Sequence, residues 1–344
     1  MSFKVLIDEI EQEQWSEYTS SFADYSIYQT WHYQEMRAEK GGQKVSRFVV
    51  KDENNVIVAM SHIRIKDVKP LGLRIGYIQW GPLICRKDGT SQCLVEVLKL
   101  LREAYLGKRV NVLRIVPNVI NNAENQGLIE KLQANGFLQT QSILPYHTMI
   151  LALNHPEEVV RTGLHQSWRR MLYKAERAGV EIKEQTDEAP FKILERFYAD
   201  LSRKKGFKGS VDPRLFARTQ SALLQSERMS VMVGFCEDEP VTVHVTSNLG
   251  DTAIFLLSAS SAKGYECRSS YLAWWRAIVS SNNKGMKKFD VGGIDFVDNP
   301  TVSRFKAGVG GEESFHIGTF ESYTDSVVKN TFRMTEKIYR KLKR

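Results

Sequence analysis

Apolar and polar positions alternate most cleanly in two stretches that follow one plan. RFVVKDENNVIVAMSHIRIK runs from Arg47 to Lys66, and VMVGFCEDEPVTVHVTSNLG from Val231 to Gly250. Each is an apolar β-branched run, a short acidic turn and a second run, with alternation such as Val241, Val243 and Val245. Period-two alternation across a tight polar turn predicts a β-hairpin. Helical sequence precedes each one, WHYQEMRAEK in the first half and FKILERFYADLSRKK in the second. After each hairpin come a strand, a helix (SQCLVEVLKLLREAYLG or YLAWWRAIVSSNNKG) and a further strand (NVLRIVP or KKFDVGGI). A helix–hairpin–strand–helix–strand order met twice predicts two mixed α/β domains built alike.

The seam between them is expected near residue 150. HTMILAL ends a strand, and NHPEEVV opens a helix with Asn154 as its cap and Glu157 three residues on. No Gly/Ser linker separates the halves, so direct packing with a cleft between them is expected. The boundaries read 1–150, 151–320 and a basic C-terminal helix, 321–344. In that last segment Val328, Phe332 and Tyr339 fall near one face with Leu342 adjacent, and Arg340, Lys341, Lys343 and Arg344 crowd the end. Such a helix suits docking on the protein, or facing RNA or lipid.

Two basic segments are candidates for chemistry. SWRRMLYKAERAGVEI, Ser167 to Ile182, predicts a helix stopped by Gly179, with Leu164, Trp168 and Leu172 as its apolar stripe. Arg170, Lys174 and Arg177 share its other face, as either a solvated surface or a phosphate contact. NPTVSRFKAGVGGEE, Asn299 to Glu313, sets Arg304, Phe305 and Lys306 before Gly308, Gly310 and Gly311. Glycine admits positive φ and close approach of a ligand to backbone. Taken alone, that segment is a surface turn with solvated cations.

Composition narrows the field. At 344 residues, 42% hydrophobic and 26% charged, the chain is an ordinary globular one, long enough for two domains. No apolar run approaches the ~20 residues needed to cross a bilayer. The N-terminal MSFKVLIDEIEQEQW has acids where a signal peptide needs positive charge, so an intracellular, cytoplasmic protein is expected. The four cysteines lack CxxC spacing and the seven histidines lack HxxxH or HxH pairs, so neither a metal nor a disulfide framework is expected. A net charge of +8 favours anionic partners such as RNA, nucleotide phosphates or an acidic membrane surface.

In order and spacing, PYHTMILALNHPEEVVRTGLHQSWRRMLYKAERAGVEI, SYLAWWRAI, KKFDVGGID and RFKAGVGGEE resemble the FemABX family of non-ribosomal peptidyltransferases. YQTWHYQEM, IQWGPLI, LRIVP and LIEKLQANGF agree with it, and FDVGGI…RFKAGVGG is its most specific part. The resemblance implies two tandem domains of the Gcn5-related N-acetyltransferase type, the last helix packing back on the first domain. It implies transfer of an aminoacyl group from aminoacyl-tRNA to an amine of a nucleotide- or lipid-linked cell-envelope precursor such as a peptidoglycan stem peptide. No cofactor is expected, and peripheral contact with the inner membrane surface is compatible with this role.

Residue by residue, the resemblance puts Lys306 at the family's functional lysine, as a cation for the carbonyl oxygen that becomes anionic, with Phe305 beside it to stack or exclude water. Arg304 and Phe255 are further substrate-binding candidates. For the precursor, Arg37 and Lys40 follow Trp31, in the first domain that is expected to bind the acceptor, and Lys208 and Arg214 lie within KKGFKGSVDPR, after the helix that this stretch ends. Arg170, Lys174 and Arg177 are the RNA or phosphate candidates. Some relatives carry an acid where Val116 stands and a tyrosine at Phe255, so no general base is assigned. Asp290 and Asp295 read as turn or capping residues. Two other readings remain. RKDGTS, Arg86 to Ser91, nearly fits the Q/R-x-x-G-x-G/A loop that cradles the pyrophosphate of acyl-CoA, and an acyl-CoA or acyl-carrier donor would suit N-acylation of an amino sugar of a surface polysaccharide. A non-catalytic binder of RNA or anionic precursors would keep the same fold.

Overall fold

The computed structural model describes residues 3–89, 93–205 and 211–343. The chain opens with β1 (Lys4–Ile7), α1 (Gln12–Thr19) and α2 (Trp31–Gly41). The first hairpin follows as β2 (Lys44–Lys51) and β3 (Ile57–Val68), then β4 (Leu73–Gln79), α3 (Leu94–Tyr105) and β5 (Val112–Val116). Next come α4 (Leu128–Ala134), β6 (Leu138–Gln139) and β7 (His147–Ala152). The second round begins with α5 (Glu157–Gly163), α6 (Gln166–Arg177), β8 (Glu181–Gln185), α7 (Ala189–Lys205) and α8 (Pro213–Ala222). The second hairpin is β9 (Ser230–Cys236) and β10 (Glu239–Leu249), followed by β11 (Thr252–Ser260), α9 (Ala262–Glu266), α10 (Ser269–Asn283) and β12 (Lys288–Asp290). The chain ends with α11 (Pro300–Ala307), β13 (Glu312–Phe315), β14 (Phe320–Tyr323) and α12 (Ser326–Lys343).

Both predicted hairpins form with antiparallel register, Val49 opposite Met60 and Val243 opposite Val233. The strand orders are β1-β2-β3-β4-β5-β14-β6 and β13-β7-β12-β11-β10-β9-β8. Through their first five and last five strands respectively, the sheets repeat one plan, and within those strands each has a parallel pair, β4 with β5 and β11 with β12. A parallel pair needs a crossover. The amphipathic α3 supplies one, burying Leu94, Leu98, Leu101 and Tyr105 against Phe48, Ile78 and Leu113. The other is α10, with Leu272, Trp274, Trp275 and Ile278 buried among Leu172, Phe289 and Val291.

Two compact units result: 1–24, 37–146 and 315–344 in one; 25–36 and 147–314 in the other. Their borders differ from 1–150, 151–320 and 321–344 because two strands join the sheet of the other round. Placing the seam at 150 divides β7, which lies beside β12, while β14 lies beside β5. α12 does pack on the first unit, where Phe332 and Val328 close over Leu73 and Val112 and Glu336 pairs with Arg114. Its apolar positions are split, however. Tyr339 and Leu342, expected near the docked face, are mostly exposed. Asn154 is not a helix cap: it takes φ +67, its N–H donates to Asn282, and α5 starts at Glu157 after Pro156.

Candidate functional site

The parallel pairing of β11 with β12 runs only from Thr252–Lys288 to Ile254–Asp290. Beyond it the strands part, because β11 continues to Ser260 while the other chain turns through Gly292 at φ +77. Lys306 fills this fork. RFKAGVGG taken alone reads as a turn, but Arg304–Lys306 form the last helical turn of α11, with Pro300 at its first position. Lys306 is 7% exposed. Its ammonium donates to the Gly293 carbonyl at 2.8 Å and lies 4.7 Å from the Phe255 ring centre. An ammonium has three donors, so this geometry leaves capacity for a substrate oxygen. Burial pulls the Lys306 pKa down to about 8, against the opposing pull of Asp290.

The turn that receives the ammonium is braced from below. Asp290, on β12, is buried and accepts from Thr148 of β7 and from the Gly292 N–H, the latter at 2.8 Å. Gly292 is required twice over. A Cβ there would adopt a left-handed conformation and lie 2.8 Å from Phe255 Cδ1 and 3.1 Å from Lys306 Nζ. Asp290 is therefore more than a turn residue, whereas Asp295 acts as expected, accepting from the N–H groups of Val297 and Asp298.

Sequence reasoning missed His244. It is fully buried on β10, its ring 5.0 Å from both Phe255 and Trp274, with Nε2 2.8 Å from the Thr246 hydroxyl. Burial first, and then the Lys306 charge, push its pKa down to about 3, so it is neutral beside the cation. Its signal was the polar stripe Thr242, His244, Thr246 opposite the valines of the hairpin.

The other candidates separate. The Phe305 ring packs among aromatics, 4.9 Å from Tyr271, 5.4 Å from Trp274 and 5.9 Å from Trp168, anchoring α11. The glycines after it serve the fold. A Cβ on Gly310 or Gly311 would lie 2.5 Å from the carbonyl of Gly163 or Ile150, and one on Gly308 2.8 Å from Trp168. Close approach is needed, but to the protein's own backbone. Arg304 is exposed. Arg214 is exposed on α8 and pairs with Glu195 at 3.3 Å. Lys208 lies outside the described residues. On α6 the expected stripe holds: Trp168 and Leu172 are buried, and Arg170, Lys174 and Arg177 are exposed. Tyr173 shares that outer surface, with the Arg177 guanidinium 5.6 Å from its ring.

In the first unit Arg37 is half-buried and, with Arg64 and Arg114, acts on the half-buried Tyr77, whose pKa is nevertheless raised because desolvation outweighs them. Lys40 is exposed one turn on. The matching fork, past Gln79–Val116, is filled by rings: Trp80, Tyr146 and His316 lie 4.9 to 5.3 Å apart. Arg86 of the RKDGTS stretch is already engaged by Asp88 and the Ile57 carbonyl. A depression of about 640 Å3, lined by Val180, Ile182, Met232, Leu272, Arg276 and Lys284 among others, contains none of the candidate residues.

A desolvated cation at the fork of one sheet suits an oxygen that gains charge as an acyl group moves. The sequence matches the FemAB family model over residues 10–210, more than half the chain, and the protein belongs to that family. FemAB family members are aminoacyltransferases. Among solved structures the fold is similar to that of FemX at 14% identity, with a TM-score of 0.78, covering 92% of this chain and 97% of that one. It is also similar to the C-terminal domain of a putative lysylphosphatidylglycerol synthetase from Agrobacterium fabrum (11% identity, TM-score 0.53, 95% of each chain). A tandem GNAT protein from the clavulanic acid biosynthesis pathway matches at 10% identity and TM-score 0.50, over 94% of this chain and 99% of that one. Curated proteins give no significant sequence match.

Proposed function

We propose that the protein transfers an aminoacyl group from the ester of aminoacyl-tRNA to an amine of a cell-envelope precursor such as a peptidoglycan stem peptide, acting on the cytoplasmic side. The observation that carries this reading is Lys306, buried yet cationic at the fork of the second sheet. The acceptor amine attacks the ester carbonyl, a C–N bond forms and the C–O bond to the ribose breaks. Negative charge passes from the carbonyl oxygen to the departing ribose oxygen, and the proton released by the amine ends on that alcohol. Lys306 acts as the fixed cation for the developing charge, with Asp290 and Gly292 holding its turn. Removing one such group typically costs ~10²–10³ in rate.

The arginines around Tyr77 support an anion-handling role for Arg37 in binding a nucleotide-linked acceptor, with Lys40, Arg214, Lys208 and Arg304 as outer contacts. The α6 surface supports a tRNA contact: Arg170, Lys174 and Arg177 carry charge for phosphates, and Tyr173 offers a ring for stacking. Acyl-CoA is the second donor reading, and the engagement of Arg86 weighs against it. Purified protein should discharge labelled aminoacyl-tRNA when given envelope precursors, yielding an amide product of the expected mass, and leave acyl-CoA intact. Acyl-CoA hydrolysis without tRNA discharge rejects the proposal.

A further inference from the structure

α12 has three faces. One docks through Val328 and Phe332, as described. A second is an apolar row that the protein does not cover: Val327, Met334, Ile338 and Leu342 are 72, 65, 50 and 82% exposed. Their spacing of seven, four and four residues keeps them within about 80° of the circumference and extends the row over about 22 Å. The third face, along one edge of that row, carries Arg333, Lys337 and Lys341, all exposed. Among the described residues Lys337 and Lys341 form no ion pair. A soluble surface rarely leaves four large aliphatic side chains in line, and such a row marks an interaction site.

We propose that this side of α12 lies in the plane of an anionic lipid surface, the aliphatic row entering the acyl boundary and the lysines meeting the headgroups. The chemistry favours lipid over the alternatives. An RNA backbone gains nothing from valine, methionine, isoleucine and leucine. A second copy of the chain would set Lys337 and Lys341 against their own like charges near the seam. A bilayer rewards both edges together, apolar area by insertion and each cation by the negative surface potential. No helix among the described residues is long and apolar enough to span a membrane, so the contact is one of lying on the surface. This inference does not rest on the proposed reaction.

The test is flotation of the full chain with vesicles of phosphatidylcholine alone or with phosphatidylglycerol added, in the absence of substrates. Binding should require phosphatidylglycerol, weaken in high salt, and drop on the order of tenfold or more for Lys337→Glu/Lys341→Glu. Ile338→Ser/Leu342→Ser should weaken it too; neither pair belongs to the docked face, so melting should be unchanged. If the wild type shows no preference for anionic vesicles, the proposal is overturned, whatever the variants do. It is equally overturned if vesicle binding is absent while Ile338→Ser/Leu342→Ser abolishes a dimer seen by sedimentation, or the lysine pair abolishes tRNA binding.

Discussion

At the scale of single residues, the proposed transfer turns on a lysine whose charge is held where water is scarce. With its pKa near 8 in the free protein, Lys306 loses its proton just above neutrality. If the cation is the working form, kcat/KM should fall as pH rises through about 8, since that parameter reports the free enzyme. Asp290 is the named group that favours the charged state, so Asp290→Asn should move this alkaline limb toward lower pH, and a limb that stays in place contradicts the assignment. The resemblance pointed to Lys306 because the motif around it is specific. What supports it was not legible in the sequence: Asp290 resembles any turn aspartate until Thr148, distant in the chain, is seen beside it. His244 left a trace in the polar stripe Thr242, His244, Thr246, but a strand with both faces buried does not reveal which face belongs to the site.

At the scale of elements, the hairpins and the crossover helices were legible because their hydrophobic periods are unmixed. The RFK segment was not, although Pro300 just after Asn299 is a helix-start signal; the glycines behind it drew attention instead. Their role depends on backbone that comes near only in the folded chain. Gly311→Ala should therefore destabilise the protein by about 1 kcal/mol or more, since φ is +90 and the new methyl would meet Ile150; an unchanged denaturation midpoint refutes this. On α6, Arg170→Glu with Lys174→Glu should weaken tRNA binding and flatten its dependence on salt by roughly the number of phosphate contacts removed, about two. Affinity measured across a salt series checks this, and an unaltered slope removes α6 from the RNA surface.

For the whole molecule, duplication was readable and the exchange of β7 and β14 was not, because an apolar pattern can mark a strand, as at HTMILAL, without saying which sheet it joins. The two rounds differ at their forks, filled by Trp80, Tyr146 and His316 in one sheet and by a cation in the other. That cation carries a cost in stability. The folded pKa of Lys306 lies below its ordinary 10.5, so between about 8 and 10.5 the unfolded chain binds the extra proton and stability rises with pH. Below about 8 the full penalty applies, on the order of 3 kcal/mol. Lys306→Met should thus be more stable than wild type at pH 7 and lose that advantage by about pH 10.5, as paired urea titrations can determine. An advantage that is absent at pH 7, or constant with pH, means the ammonium is not buried as described.

The most direct test compares wild type and Lys306→Ala in a single-turnover transfer of labelled amino acid from tRNA to an envelope precursor, with donor affinity measured on the same samples. Donor affinity should be unchanged and the transfer rate lower by ~10²–10³. Transfer by the variant at the wild-type rate, with the donor bound normally, would contradict the role proposed for Lys306.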